Sequence, residues 1–343
     1  MSGEKIKNME DFAALSGISR PTVSKFFNDP DSVRASTRAK IEAALERYDY
    51  RPNIYAINQN RTRTKNIGLV VPNLADPFFA AVARQMEGLI VEAGYSPLLL
   101  SSHGGPQQEI ANLDSLRAIK PAGVLLAPLG RASLRESVLK FTREIPTVLF
   151  DSYLEDVGAA FFGCDTERSV GLIVDYLCRS GEPPTLFEMK NPINPNAHRR
   201  HAAYCDAMRA VGHTPHVISV PGKGWDFEEI GFQEGRRVIE EGLLPTNTVL
   251  CSNDRLAIGF LAAAYECGVK VGRDEDCSLR VAGHDDHPFS RYTCPSLTTI
   301  SQDYTAIGTR SVEAILDLIE ERQSKPMRQE VFFEGRLVMR ASA

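Results

Sequence analysis

No two of the seven cysteines stand in a Cys-x-x-Cys arrangement, and their number is odd. At 164, 178, 205, 251, 267, 277 and 294 they read as free thiols of a reducing compartment, which argues against a disulfide scaffold and against thiolate chelation of a metal. Neither a Gly-x-Gly-x-x-Gly nor a Gly-x4-Gly-Lys-Ser/Thr loop occurs, so no phosphate cradle is indicated and no cofactor is expected. No apolar run approaches ~18 residues, and the start, Met1 to Lys7, has no apolar h-region. Membrane insertion and export are therefore not expected, and the cytoplasm is the predicted location.

What remains is an ordinary globular composition, 43% hydrophobic and 24% charged, in a chain of 343 residues, long enough for two or three units. The net charge of −5 hides an asymmetry. The first 65 residues carry 12 Lys or Arg against 8 Asp or Glu; the rest carry 27 against 36. A basic head on an acidic body suits a nucleic-acid module joined to a domain with another task.

The head has a legible motif. Asp11-Phe-Ala-Ala-Leu-Ser-Gly-Ile-Ser-Arg-Pro-Thr-Val-Ser-Lys-Phe-Phe-Asn28 reads as two short helices broken at Gly17, which can take the positive φ of a tight turn. Ala13 permits close crossing, and Ile18 and Val23 supply apolar contacts. Ser19 is a fitting N-cap, and Pro21 is tolerable in a first turn. Such a second helix presents Ser19, Arg20, Thr22, Ser24, Lys25 and Asn28, side chains suited to phosphates and base edges. Asp29-Pro30-Asp31 ends it. A third helix starting at Ser36 or Thr37 carries the stripe Ile41, Ala44, Leu45, Tyr48. From Arg51 to Lys65 the chain has Arg51, Arg61, Arg63 and Lys65 and no acid, as a linker able to touch phosphate would.

From Ile67 the pattern alternates short apolar runs with amphipathic segments. Strands are predicted at 67–72, 98–100, 123–127, 147–150, 185–189, 216–220, 248–252 and 279–283. Helices are predicted at 77–93, 107–118, 133–142, 167–179, 197–211, 227–241 and 254–267. Near-continuous apolar strands between helices indicate parallel sheets covered on both faces, here two doubly wound lobes with ligand space at the strand C-termini.

The chain resembles the LacI/GalR family of bacterial transcription regulators over essentially its full length. The matching marks are Ala13…Gly17-Ile18-Ser19…Thr22-Val23-Ser24, Val33-Arg34-Ala35-Ser36-Thr37-Arg38, Tyr50-Arg51-Pro52-Asn53…Ala56 and Ile67-Gly-Leu-Val-Val-Pro72. Further on come Pro77-Phe78-Phe79, Ser252-Asn-Asp-Arg-Leu-Ala-Ile-Gly259, Gly283-His-Asp-Asp286 and Leu297-Thr-Thr-Ile300. The resemblance implies an N-terminal all-α helix-turn-helix DNA-binding domain (1–52) and a hinge helix or linker (53–65). It further implies an α/β two-lobed periplasmic-binding-protein-like core (66–343). Crossings near Gly163, Ser301 and Glu330 would give one lobe of about 66–163 plus 301–329 and another of about 164–300 plus 330–343. The implied partners are double-stranded operator DNA, a carbohydrate-like small-molecule effector, and a second copy of the chain in a homodimer, with a tetramer as the alternative.

The resemblance also implies that Asn53, Ala56, Ile57, Gln59 and Arg61 belong to a hinge helix entering the minor groove. Gln59 stands where many relatives place a Leu wedge, so either the kinking of the operator is weaker or Ile57 takes that part. Pro21 replaces a base-reading side chain and shifts direct readout towards Arg20 and Lys25.

For the effector the resemblance implies Phe78, Phe79, Asp151, Arg200, Trp225, Asn253, Asp285, Gln302 and Tyr304. Phe78, Phe79 and Trp225 serve either as walls for sugar C–H surfaces or as core. Asn253 is expected to face the ligand, with Asp254 capping its helix. Sugars, polyols, sugar acids and sugar phosphates all suit such groups, the anionic ones through the local His and Arg residues. The pairs His198/His201 and His284/His287 invite a metal, but Arg199 and Arg200 lie between the first two and no cysteine is at ligand spacing, so no metal is expected. An enzyme using His284, Asp285 and Asp286 finds no nucleophile motif beside it, and a transport solute-binding protein would not need the head. The expected function is a ligand-responsive repressor, not a catalyst.

Overall fold

The computed structural model describes residues 6, 8–28, 30–51, 62–320 and 328–343. The side chain of Asn28 and the hinge residues Asn53, Ala56, Ile57, Gln59 and Arg61 lie outside the described set. The chain divides into two compact units, Met1–Thr64 and Lys65–Ala343.

In the first unit, α1 (Met9–Ser16) is capped by Asn8, whose side chain accepts from the Asp11 N–H, and closes on Gly17 at φ 67°. Helix α2 (Arg20–Asn28) follows, with the Ser19 hydroxyl against that of Thr22 at 2.8 Å. Helix α3 runs Ala35–Tyr48, starting ahead of the expected Ser36 or Thr37, with Arg34 as a cap that offers no side-chain bond. Phe12, Ala13, Val23, Phe26, Val33, Ile41 and Tyr50 form the core, and Tyr50 stacks on Phe12 at 4.8 Å between ring centres. So small a core depends heavily on these aromatic rings.

Strand β1 (Thr64–Val71) starts at the last residue of the first unit and opens the second. Its alternate residues Ile67, Leu69 and Val71 join one apolar cluster while Val70 joins another, so both faces of its sheet are covered. The sheet comprises β1, β2 (Ser96–Ser101), β3 (Pro121–Leu126), β4 (Thr147–Phe150), β5 (Ala160–Asp165) and β11 (Gln329–Glu334), in the order β11-β5-β4-β3-β1-β2. On one face lie α4 (Pro77–Glu92) and α11 (Tyr304–Ile319); on the other lie α5 (Pro106–Ile119) and α6 (Arg135–Glu144).

A second parallel sheet, β7-β6-β8-β9, is built from β6 (Thr185–Met189), β7 (His216–Val220), β8 (Thr248–Cys251) and β9 (Arg280–Ala282). Helices α7 (Thr166–Ser180) and α8 (Ala197–Ala210) cover one face; α9 (Phe227–Glu240) and α10 (Asp254–Glu266) cover the other.

The chain leaves the first lobe after β5, at Asp165, and returns through β10 (Thr299–Ser301), which pairs antiparallel with β12 (Arg336–Val338). The expected third crossing near Glu330 is displaced. Glu330 sits inside β11, paired in parallel with Phe161, and the register continues to Glu334 opposite Asp165. The first lobe therefore keeps 329–334, and the passage falls at Gly335. A Cβ there would come within 2.4 Å of the Ser169 hydroxyl.

Candidate functional site

Between the lobes lies a cleft of about 850 Å3, lined by residues that follow β1, β4, β6, β8 and β9. Ligand space at strand C-termini is the usual outcome of a doubly wound sheet, because each strand there hands over to a loop free to carry polar groups.

At its floor, Arg200 of α8 meets Asp285 through two nitrogens, at 2.5 and 3.2 Å, and gives a third bond to the Ser252 carbonyl at 2.8 Å. The Gln302 amide donates to Asp285 Oδ1 at 2.7 Å, and His284 Nδ1 lies 3.1 Å from the same oxygen. Burial would raise the Asp285 carboxyl, but the Arg200 guanidinium and the His284 ring together outweigh it and hold the group at about 2. Burial and then the Arg200 charge push His284 down to about 4. The forked contact fixes orientation as well as charge.

Asp151 is placed differently. It is 4% exposed, borders the cleft, and its carboxylate accepts no hydrogen bond among the described residues. Burial raises it to about 7, with Arg200 pulling down and Asp285 and Asp76 pushing up. Asp151, Asp285 and Asp286 all have positive φ, at 60°, 117° and 51°. A side chain at φ 117° is strained, and such backbone persists where the surroundings over-determine it, commonly at functional sites.

The expected cap at Asp254 falls to Asn253 instead, which also borders the cleft as expected. Asn253 is extended at φ −153° and its side chain accepts from the Leu256 N–H at 2.8 Å, so it caps α10 while bordering the cleft. Asp254 turns inward and accepts from the Ser290 and Thr299 hydroxyls, each at 2.6 Å, and from the His287 N–H at 2.8 Å. Burial raises it to about 7, with Asp285 adding to the shift.

Phe78 and the 42%-exposed Tyr304 border the cleft. Phe79 touches it but is 3% exposed and belongs to the first lobe's core. Trp225 is not among the lining residues. It packs edge-on between Phe79 and Phe227, at 6.4 and 5.6 Å, and joins the apolar clusters of both lobes, so of its two readings the packing one holds. The wedge of rings leaves its indole N–H buried without a partner among the described residues.

Sequence reasoning missed Asp76 and Arg255. Asp76 caps α4 through the Phe78 N–H at 3.0 Å. Arg255 of the second lobe grips Glu228 with two bonds of 2.6 Å and reaches Asp76 of the first at 3.2 Å. The Asp76-Pro77 pair is a helix-start signal, but the partner 179 residues away could not be read from it. Asp286 is bound to Arg340 at 2.6 Å, and with Asp285 held by Arg200 neither carboxylate is poised as a base.

In the first unit, Ser19, Arg20 and Lys25 of the α2 region are exposed, and Thr22 and Ser24 are half-buried. Arg20 pairs with Glu10 at 3.3 Å across α1. Ser19 is occupied as the cap of α2, its hydroxyl 3.4 Å from the Thr22 N–H.

A helical triad that presents a donor-rich second helix, followed by a two-lobed α/β core with a cleft between its lobes, is the build of a DNA-binding regulator. Residues 8–53 match the family of bacterial regulatory proteins of the lacI type, and residues 170–343 match the periplasmic binding protein-like domain. The chain belongs to the lacI family and is a transcriptional regulator of that kind. It is 28% identical over 316 residues to the ribose operon repressor of Escherichia coli strain K12, covering 91% of this chain and 93% of that one. It is 26% identical over 321 residues to the transcriptional repressor CytR of the same strain, covering 92% and 91%. The lac repressor dimer bound to operator and the anti-inducer ONPF has the same fold, with a TM-score of 0.81 over 99% of each chain at 24% identity.

Proposed function

We propose that this regulator binds double-stranded operator DNA as a homodimer. A neutral, hydroxyl-rich effector held between the core lobes sets its operator affinity. Arg20, Lys25, Thr22 and Ser24 meet the DNA from α2. Asp285, Arg200, Gln302, Asn253 and Asp151 hold the effector, with Phe78 and Tyr304 against its apolar faces.

The carrying observation is the state of the cleft's charges. Both deep guanidiniums, Arg200 and Arg255, are engaged by carboxylates, whereas Asp151, an acceptor bordering the cleft, receives no hydrogen bond among the described residues. A buried acceptor selects a ligand that brings donors and penalises one that brings a negative charge. Neutral sugars and polyols therefore suit the cleft better than sugar acids or phosphates. The name of the ribose operon repressor points to the same ligand class.

A thermal-shift and calorimetric panel of neutral pentoses, hexoses and polyols beside their acids and phosphates tests the reading. Neutral members are expected to bind. Binding confined to the phosphates would overturn the effector class. Loss of operator binding on removing residues 1–64 checks the head, and retention of operator binding by the shortened chain would refute its part.

A further inference from the structure

One cluster outside the cleft has the makings of a metal site. On the second lobe, His201 and Cys205 lie four residues apart on α8, so their side chains share one face of that helix. His201 Nδ1 is 2.8 Å from Glu188 Oε1 on β6, and the same oxygen accepts from the Ser219 hydroxyl of β7 at 3.2 Å. An ionised carboxylate only accepts, so Nδ1 is the protonated nitrogen and Nε2 carries the lone pair. That lone pair faces Cys205 Sγ at 3.8 Å.

We propose that His201 Nε2 and Cys205 Sγ form a bidentate clip for a thiophilic divalent ion such as Zn2+, with Glu188 as the carboxylate that orients the histidine. With zinc–nitrogen and zinc–sulfur bonds of about 2.0 and 2.3 Å, a tetrahedral pair of ligands stands about 3.5 Å apart, within a few tenths of an ångström of the 3.8 Å found. A carboxylate on the far nitrogen is the usual outer partner of a metal-bound histidine, fixing ring and tautomer together. Binding forms one bond to nitrogen and one to sulfur and releases the thiol proton to solvent; waters complete the shell.

The arginines that argue against a metal in the sequence are turned away. Arg200 is committed to Asp285, and Arg199 pairs with Glu167 and lies over the Phe332 ring. Arg209, one turn beyond Cys205, is engaged by Asp206 at 3.0 Å. The site follows Arg200 by a single residue, so an ion there would brace the turn of α8 that also carries the cleft floor, while the His201–Glu188 contact links that turn to β6.

The test uses the reduced full-length chain in chelator-stripped buffer, titrated with Zn2+ alone by calorimetry and with Cd2+ alone by its thiolate charge-transfer absorption. One equivalent is expected, with the absorption band present. Cys205→Ser abolishes the band, and His201→Gln, whose amide can still donate to Glu188 from this half-buried position, weakens binding at least about tenfold while the chain still folds. Glu188→Gln weakens it roughly 10- to 100-fold, the range for loss of an outer-shell partner. Cys277→Ser, beside the exposed Asp274/Asp276 cluster, leaves it intact. A band that survives Cys205→Ser, one that disappears in Cys277→Ser, or no saturable equivalent in the parent chain overturns the proposal. If Cys205→Ser does not fold, unchanged affinity in His201→Gln overturns it.

Discussion

Raising the pH from about 5 to about 8 is expected to tighten effector binding up to roughly a hundredfold, through Asp151. The free carboxyl stands at about 7, against an ordinary value of 3.8. Its burial in the cleft, with Asp285 and Asp76 nearby, outweighs the pull of Arg200 and Arg199. Effector hydroxyls donating to this carboxylate stabilise its ionised form and return its pKa towards the ordinary range. The bound state then holds fewer protons than the free state, so affinity rises with pH. At pH 5 the ligand must displace a proton that sits two units above the solvent pH, a cost of about 2.7 kcal/mol; at pH 8 it displaces none.

Calorimetry in two buffers of different ionisation heat reads the proton directly. Close to one released per site is expected near pH 5, and none above about pH 8. Asp151→Asn should bind with an affinity flat in pH. Asp254 also stands at about 7, but Ser290, Thr299 and His287 already satisfy its carboxylate, so Asp254→Asn should keep the dependence. A flat profile in the parent chain, or a sloping one in Asp151→Asn, refutes the assignment of Asp151 as the effector's acceptor.

Asp285→Asn keeps a residue that tolerates positive φ but loses the charge opposite Arg200. Effector affinity should fall by about 1.5–3 kcal/mol in calorimetry, with a lower melting temperature as the guanidinium loses its counter-ion. Gly259→Ala would place a Cβ 2.0 Å from the Glu228 carbonyl, so α9 and α10 must part at a cost of about 1–3 kcal/mol or more in denaturant unfolding; Gly88→Ala on α4, with nothing within 4 Å, should be neutral or stabilising. Arg255→Lys loses the fork on Glu228 and the reach to Asp76, and small-angle scattering of the unliganded protein should show a wider population of lobe separations. Arg20→Ala should cost about 1–3 kcal/mol against cognate operator and little against scrambled DNA; equal losses on both would deny it a base contact.

The strands most legible in the sequence were those buried on both faces. The runs 147–150 and 185–189 coincide with β4 and β6, both buried along their whole length, because an apolar run between turn residues has no competing solvated form; 216–220 also coincides with β7, although that strand is a part-covered edge. Strand β11 escaped because it is an edge strand: its residues alternate between exposed and half-covered, and its existence depends on β5, some 170 residues earlier. In the cleft, Asp151 and Asp285 were legible because each follows a short buried strand. The choice of Asn253 rather than Asp254 as the helix cap was not, since Asn and Asp cap helices about equally well. What decides it is the loop carrying His287 and Ser290, together with Thr299, which traps Asp254 from distant parts of the chain.

The links across the cleft bear on how a ligand could act. Arg255 joins Asp76, the Asn196 amide lies 3.4 Å from the Asp151 carbonyl, and Trp225 meets Phe79, each spanning the two lobes. The lobes are thus bridged by contacts that need no effector. A ligand shifts a two-state equilibrium only by the difference in its affinity for the two states, so contacts it makes to one lobe alone contribute nothing to the switch. Asp285, Arg200 and Asn253 stand on the second lobe, whereas Asp151 follows β4 of the first. Gln302 follows β10, at the passage between them. A ligand engaging only the first three residues would bind without signalling. On the proposed reading, the effector that signals must also engage the first lobe, where Phe78 and Tyr304 offer apolar contact and Asp151 a carboxylate that accepts no hydrogen bond among the described residues; satisfying that carboxylate is the polar contact by which occupancy would bear on lobe position.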